Sequence, residues 1–131
     1  MYKARKTLAC ITPQSNSKRL IDKAFDISQN IGGELHVLHV ETGGNLFVSE
    51  DSTALLQSLF NYGARMGGAV HGLAANNAAD AIIKFIKDEK ITNVVVGSPS
   101  DSPPVKQSDI YARLAATAPL LDITVVSQVN A

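Results

Sequence analysis

The chain has 131 residues, of which 45% are hydrophobic and 18% charged, and its 12 basic residues balance its 12 acidic ones. This length and balance fit one globular domain, and the absence of a basic excess argues against nucleic-acid binding. No apolar run reaches the roughly 20 residues that a membrane span needs. The single cysteine, Cys10, lies in an apolar run, and we interpret it as a buried structural thiol in a cytoplasmic protein.

Apolar runs and amphipathic segments alternate along the chain. In chain order they predict a strand at 7–12, a helix within 17–33, a strand at 34–41, a helix within 52–68, a strand at 69–74, a helix within 76–91, a strand at 92–97, a helix within 108–119 and a strand at 121–129. Strict alternation of this kind predicts parallel strands with right-handed crossovers. The fold class is therefore α/β: a doubly wound, five-stranded parallel sheet in the order 3-2-1-4-5, with two helices on each face.

Capping residues mark the predicted helix boundaries. Ser17 and Ser52 are candidate N-caps of the first two helices, and either Asn76 or Asn77 caps the third. The glycines at 32–33 end the first helix.

In doubly wound sheets, ligands bind at the carboxyl ends of the strands, where the winding direction reverses. With the predicted order, the loops 12–17 and 97–108 face each other there, and each leads to a helix N-terminus that suits an anion. Gly97 would let the backbone approach a ligand closely. The candidate ligand-binding residues are Thr12, Pro13, Gln14, His39, Val40, Gly97, Ser98, Ser100 and Ser108. The alternative is that these serines and prolines only form turns and caps.

The histidines predict no metal site. His36 and His39 are three residues apart on a strand, so they point to opposite faces and cannot bind one ion together. We interpret them and His71 as hydrogen-bonded structural residues, with His39 also facing the predicted cleft. No Ser-His-Asp order, CxxC or HExxH motif is present, and we expect no catalytic activity.

Three segments resemble the universal stress protein family: "GGELHVLHVET" at the second strand, "ADAIIKFIKDEKITNVVVGSP" from the third helix to the fourth strand, and "LDITVVS" near the end. The similarity runs from about Lys6 to Val129 and is greatest to the variant domain of Kdp-type potassium-sensing histidine kinases. It implies one domain over 1–131 with a Rossmann-like fold, frequent homodimers, and a signalling role without turnover. Many members bind ATP or AMP, and some Kdp-type domains bind a cyclic dinucleotide.

The chain departs from the family's ATP-binding pattern, G-x2-G-x9-G-[ST]. Gly97 matches the first glycine, but Ser100 replaces the second and Ile110 the third, and Thr12 stands where an acidic residue closes the first strand. A side chain at position 100 obstructs the approach of phosphate to the backbone, and the prolines at 99, 103 and 104 remove N–H donors. We therefore expect weak or no binding of Mg-ATP, and the cofactor stays unknown.

The expected function is a non-catalytic stress or osmotic signalling module that binds an adenine nucleotide or cyclic dinucleotide. The alternative is a ligand-free, dimeric interaction protein with a degenerate pocket. The chain is either a stand-alone relative or one domain of a sensor kinase, and Met1 favours the first.

The fifth strand predicts a homodimer. It lies at the edge of the predicted sheet and contains neither proline nor lysine to protect that edge. We expect Ile123, Val125 and Val126 to meet their counterparts across a twofold axis.

Overall fold

The structure is a computed structural model and describes residues 5–11, 17–42, 50–97, 113–116 and 121–126. Its elements are β1 (Lys6–Cys10), α1 (Ser17–Ile31), β2 (Glu34–Thr42), α2 (Glu50–Arg65), β3 (Ala69–Ala75), α3 (Ala78–Glu89), β4 (Asn93–Gly97) and β5 (Asp122–Val126). Residues 113–116 are helical and fall within the fourth predicted helix, whose other residues lie outside the described part of the chain.

The five strands form one parallel sheet in the order β3-β2-β1-β4-β5, which confirms the predicted topology. β1 lies at the centre and pairs with β2 on one side and with β4 on the other. Helix α1 connects β1 to β2, and helix α3 connects β3 to β4. Such helical crossovers are needed because parallel strands cannot be joined by a tight turn.

Two apolar clusters cover the two faces of the sheet. On one face, Ala9 and Val95 pack with α1 residues such as Ile21 and with Leu59 of α2. On the other face, Leu8 and Val94 pack with α3 and with Leu114 of the short segment. Successive strand residues point to opposite faces, so β1, β2, β4 and β5 each contribute side chains to both clusters. Helices therefore flank the sheet on both faces, as predicted.

Helix boundaries agree with the predicted caps in part. Helix α1 begins at Ser17, and the Asn77 side chain accepts a 3.0 Å hydrogen bond from Asp80 N at the start of α3. Helix α2 begins at Glu50, so the predicted cap near Ser52 is wrong and lies inside the helix. Of the described helices, none is long and apolar enough to cross a membrane.

The glycine pair between α1 and β2 has two different roles. Gly32 has φ +72°, with nothing within 4 Å of the position where a Cβ would lie. Gly33 has φ +152°, and a Cβ there would lie 2.2 Å from the backbone oxygen of Arg5. That oxygen accepts the 3.0 Å hydrogen bond from Glu34 N, so the close approach begins the pairing of β1 with β2.

We predict that Gly33→Ala lowers the free energy of unfolding by about 3 kcal/mol, because backbone strain and a clash with backbone add. Gly32→Ala is the matched control, with strain alone and an expected loss of about 1 kcal/mol. Urea unfolding followed by circular dichroism measures both. Equal losses for the two variants would contradict the role assigned to Gly33.

Candidate ligand site at the carboxyl ends of the strands

The winding direction reverses between β1 and β4, where the site is predicted. Ala9 pairs with Val95 in the parallel register. Two residues further along these strands come Ile11 and Gly97. Neighbouring strands lie about 4.8 Å apart, so the two strand ends that lead into the predicted ligand loops are adjacent.

Gly97 has no packing reason to be a glycine. A Cβ at this position would lie 3.8 Å from Cδ1 and 3.9 Å from Cδ2 of Leu20, which is ordinary van der Waals contact, and its φ is not in the left-handed range. By contrast, a Cβ at Gly63 would lie 2.9 Å from Val37, and one at Gly68 would lie 3.0 Å from Leu35. Among the described residues, which end at Gly97 and resume at 113, nothing therefore opposes a side chain at position 97, and a glycine there leaves its backbone open to a ligand.

His39 anchors the end of β1. Its ring is buried, with 7% of the residue exposed, and Nδ1 lies 3.1 Å from the backbone oxygen of Ile11. A carbonyl oxygen only accepts, so Nδ1–H donates. Ile11 N also donates to Leu38 O over 2.9 Å. β2 thus holds both polar backbone groups of the last described residue before the loop.

The side chains of Val40 and His39, both predicted to line the ligand site, lie on opposite faces of the sheet. The Val40 side chain packs, half-buried, in the apolar cluster on the α3 face, whereas His39 reaches Ile11 of the α1 face. The reason is the alternation of side chains along a strand. Six candidate residues lie outside the described part of the chain and stay predictions: Thr12, Pro13, Gln14, Ser98, Ser100 and Ser108.

Solved structures resemble this chain over nearly its whole length. A universal stress protein solved in complex with cAMP matches with a TM-score of 0.70 and 15% identity, covering 98% of this chain and 100% of that one. The universal stress protein of Archaeoglobus fulgidus, solved in complex with dAMP, matches with a TM-score of 0.61 and 14% identity, covering 95% and 98%. The chain has the universal stress protein fold. The resemblance stated from the sequence is confirmed at this level.

The chain is also similar in sequence to part of a sensor protein. The sensor protein KdpD of Clostridium acetobutylicum is 30% identical over 90 residues, which is 69% of this chain. The match spans 10% of the length of that curated relative. No family model matches the chain.

Sequence reasoning missed Glu41 as a site residue. Its Oε1 lies 3.1 Å from Nε2 of His39, on the ring edge opposite the Ile11 contact. The signal was present in "ELHVLHVE", where each histidine has a glutamate two residues away. Residues two apart share a strand face, so this spacing predicts two acid–histidine pairs, and both form.

The described residues hold no group of three or more His, Cys, Asp or Glu that could bind a metal ion. Cys10 is half-buried at the end of β1, not fully buried as predicted, and loss of solvent around its thiol raises the pKa of that group to about 12. At neutral pH the thiol is therefore protonated and a poor nucleophile.

We predict that His39→Phe destabilises the protein by about 1–3 kcal/mol, because the buried carbonyl of Ile11 loses its donor. Glu41→Gln is the control: Glu41 is 44% exposed, and the loss there should stay within about 0.5 kcal/mol. Urea unfolding compares the two variants. An unchanged midpoint for His39→Phe would show that the hydrogen bond does not hold the end of β1.

Proposed function

We propose that this chain is a non-catalytic signalling module of the universal stress protein family, acting in the cytoplasm. Its ligand is an adenine nucleotide or cyclic dinucleotide, bound where β1 and β4 end. In this proposal the loops after Ile11 and Gly97 surround the ligand, and His39 keeps the first loop in place through the Ile11 carbonyl.

The observation that carries the proposal is Gly97. It lies at the switch point of a doubly wound sheet, which is the general ligand position of such sheets. Its Cβ position meets no steric conflict within the described part of the chain, so packing against those residues does not explain the glycine. A ligand phosphate approaching the backbone N–H groups that follow would explain it.

The similar proteins support the ligand class. Two matched universal stress proteins were solved with cAMP and with dAMP. Both ligands combine an adenine base with one phosphate, so they need fewer phosphate contacts than Mg-ATP. This agrees with a loop in which Ser100 and Ile110 replace two glycines of the ATP pattern. The similarity to a KdpD sensor protein supports a role in signalling.

A second candidate function is a ligand-free dimeric interaction protein with a degenerate pocket. Its support is Val125, which is 44% exposed on the edge strand β5. Ile123 and Val126 are half-buried within their own chain and pack against the two apolar clusters. A dimer through β5 would therefore rest on Val125 and on the free backbone edge rather than on all three side chains.

Ligand binding is tested with a thermal-shift panel of AMP, cAMP, ATP with Mg²⁺, and cyclic dinucleotides, followed by calorimetry. One monophosphate or cyclic ligand at 100 times its Kd should raise stability by about 2.7 kcal/mol, which is on the order of 5–10 °C in Tm. Mg-ATP should give little or no shift. Gly97→Val should abolish the shift while keeping the unliganded Tm.

Gly72→Val is the matched control for Gly97→Val. Within the described ranges, a Cβ at Gly72 meets Phe60 alone, at 4.0 Å, and β3 lies at the far edge of the sheet. This variant should bind as the unmodified protein does. If no nucleotide shifts the Tm, or if Gly97→Val binds normally, the proposed site is wrong. The absence of any shift would favour the ligand-free interaction protein.

Assembly is tested by light scattering at tens of micromolar protein. We expect a homodimer, which Val125→Lys converts to monomer or aggregate because a charge enters the twofold contact. Leu73→Lys is the control: Leu73 is 38% exposed on β3 at the opposite edge, and its variant should stay dimeric. A monodisperse monomer of the unmodified protein would refute the β5 dimer.

A further inference from the structure

Three ionisable side chains form a hydrogen-bonded row on the α3 face, away from the proposed ligand site. Glu34 Oε1 lies 2.8 Å from Nε2 of His36, and Nδ1 of His36 lies 3.0 Å from Nε2 of His71. The Phe85 ring of α3 stands edge-on to both imidazoles, with centroids 6.4 Å from His36 and 4.8 Å from His71. We call Glu34, His36 and His71 the histidine row.

The geometry assigns each proton in the row. The two imidazole planes differ by 16° and their centroids lie 5.2 Å apart, so the nitrogens 3.0 Å apart point at each other along the line that joins the rings. Nε2 of His36 faces a carboxylate and must carry a hydrogen. In the neutral ring Nδ1 is then an acceptor, and Nε2–H of His71 donates to it.

This arrangement accepts one additional proton but not two. The first can enter at Nδ1 of His71, because both hydrogen bonds of the row stay intact. A second would put a hydrogen on Nδ1 of His36, so that two N–H groups would face each other across 3.0 Å.

The charged groups around the row do not remove this limit. The Glu34 carboxylate is negatively charged and lies beside His36. Its hydrogen bond with His36 and the positive charge of Lys6 in β1 both lower the pKa of Glu34. Glu89 of α3 acts favourably on His71, yet burial first and the charge of His36 second lower the pKa of His71 below its ordinary value. The folded protein thus binds fewer protons here than the unfolded chain.

The sign of the pH effect follows from this lowered pKa. A histidine whose pKa is lower in the folded state adds stability above its ordinary pKa of about 6.5. That stability is lost as the pH falls below this value, since the unfolded or locally opened state takes up the proton more readily.

The row connects the edge strand to the rest of the protein. β3 pairs only with β2 in the described sheet, and five of its seven residues are exposed. His71 is half-buried, and its side chain joins β3 both to β2, through His36, and to α3, through Phe85. Loss of the His36–His71 bond would therefore act first on β3.

We propose that the histidine row is an acid-sensitive latch, which holds β3 against β2 and α3 at neutral pH and releases the edge strand when acid breaks the hydrogen bond between His36 and His71. The latch lies on β2 and β3, not at the β1–β4 switch point, so it does not depend on the proposed ligand.

Two NMR measurements test the latch. Nitrogen-15 chemical shifts of the imidazole rings at neutral pH should show that His36 is protonated at Nε2 and unprotonated at Nδ1. His71 should show the same tautomer. Native-state hydrogen exchange, corrected for intrinsic rates, should show protection of the β3 amides falling about tenfold from pH 7 to pH 5, as for one extra proton taken up on opening. The amides of β1 and β4 should lose less.

His71→Phe is the decisive variant, because phenylalanine keeps a ring beside Phe85 but cannot titrate. Its β3 protection should differ less than about twofold between the two pH values. His39→Phe is the matched control on the other face and should keep the tenfold fall in β3. The latch is refuted if β3 protection of the unmodified protein does not change with pH, or if His71→Phe keeps the fall. A Nδ1–H tautomer of His36 would also overturn it, whether or not the variants fold.

Discussion

The rest of this structure depends on the parallel pairing of β1 with β4. The chain reaches β4 only after it has wound outward through β2 and β3, and the sheet then grows in the opposite direction. A central parallel strand is covered on both faces, and Thr7, Leu8 and Ala9 accordingly have 0% exposure. The same reversal leaves the ends of β1 and β4 adjacent. The proposed ligand position is thus a consequence of strand order.

Strand β2 carries a glutamate–histidine pair on each face of the sheet. Glu34 and His36 share the α3 face near the amino end, whereas His39 and Glu41 share the α1 face near the carboxyl end. On the first face the histidine continues to the edge strand, and on the second it holds the Ile11 backbone. One strand thereby connects the edge of the sheet to the exit of β1. The two histidines are only three residues apart, and strand alternation separates their tasks.

The glycines illustrate how far sequence reasoning reaches. The pair at 32–33 was predicted to end α1, and Gly97 was predicted to expose backbone. The sequence cannot distinguish a glycine required by a clash from one that is sterically optional. That difference lies in the atoms across the contact: a Cβ at position 33 would lie 2.2 Å from the Arg5 oxygen, whereas one at position 97 would lie 3.8 Å from Leu20. The predicted cap near Ser52 was wrong for a similar reason, since capping residue types do not by themselves determine where a helix begins.

The sequence by itself determined the fold class, the strand order and the helical faces, because periodicity of apolar residues is local and the handedness of crossovers is nearly invariant. It also contained the two acid–histidine pairs, whose members are two residues apart. Only the tertiary structure decided which distant residue each acid–histidine pair contacts. His39 meets the Ile11 carbonyl 28 residues away, and His36 meets His71 across 35 residues. Such contacts depend on the register of neighbouring strands, which is set by the packing of the whole sheet against its helices and not by the residues near each histidine.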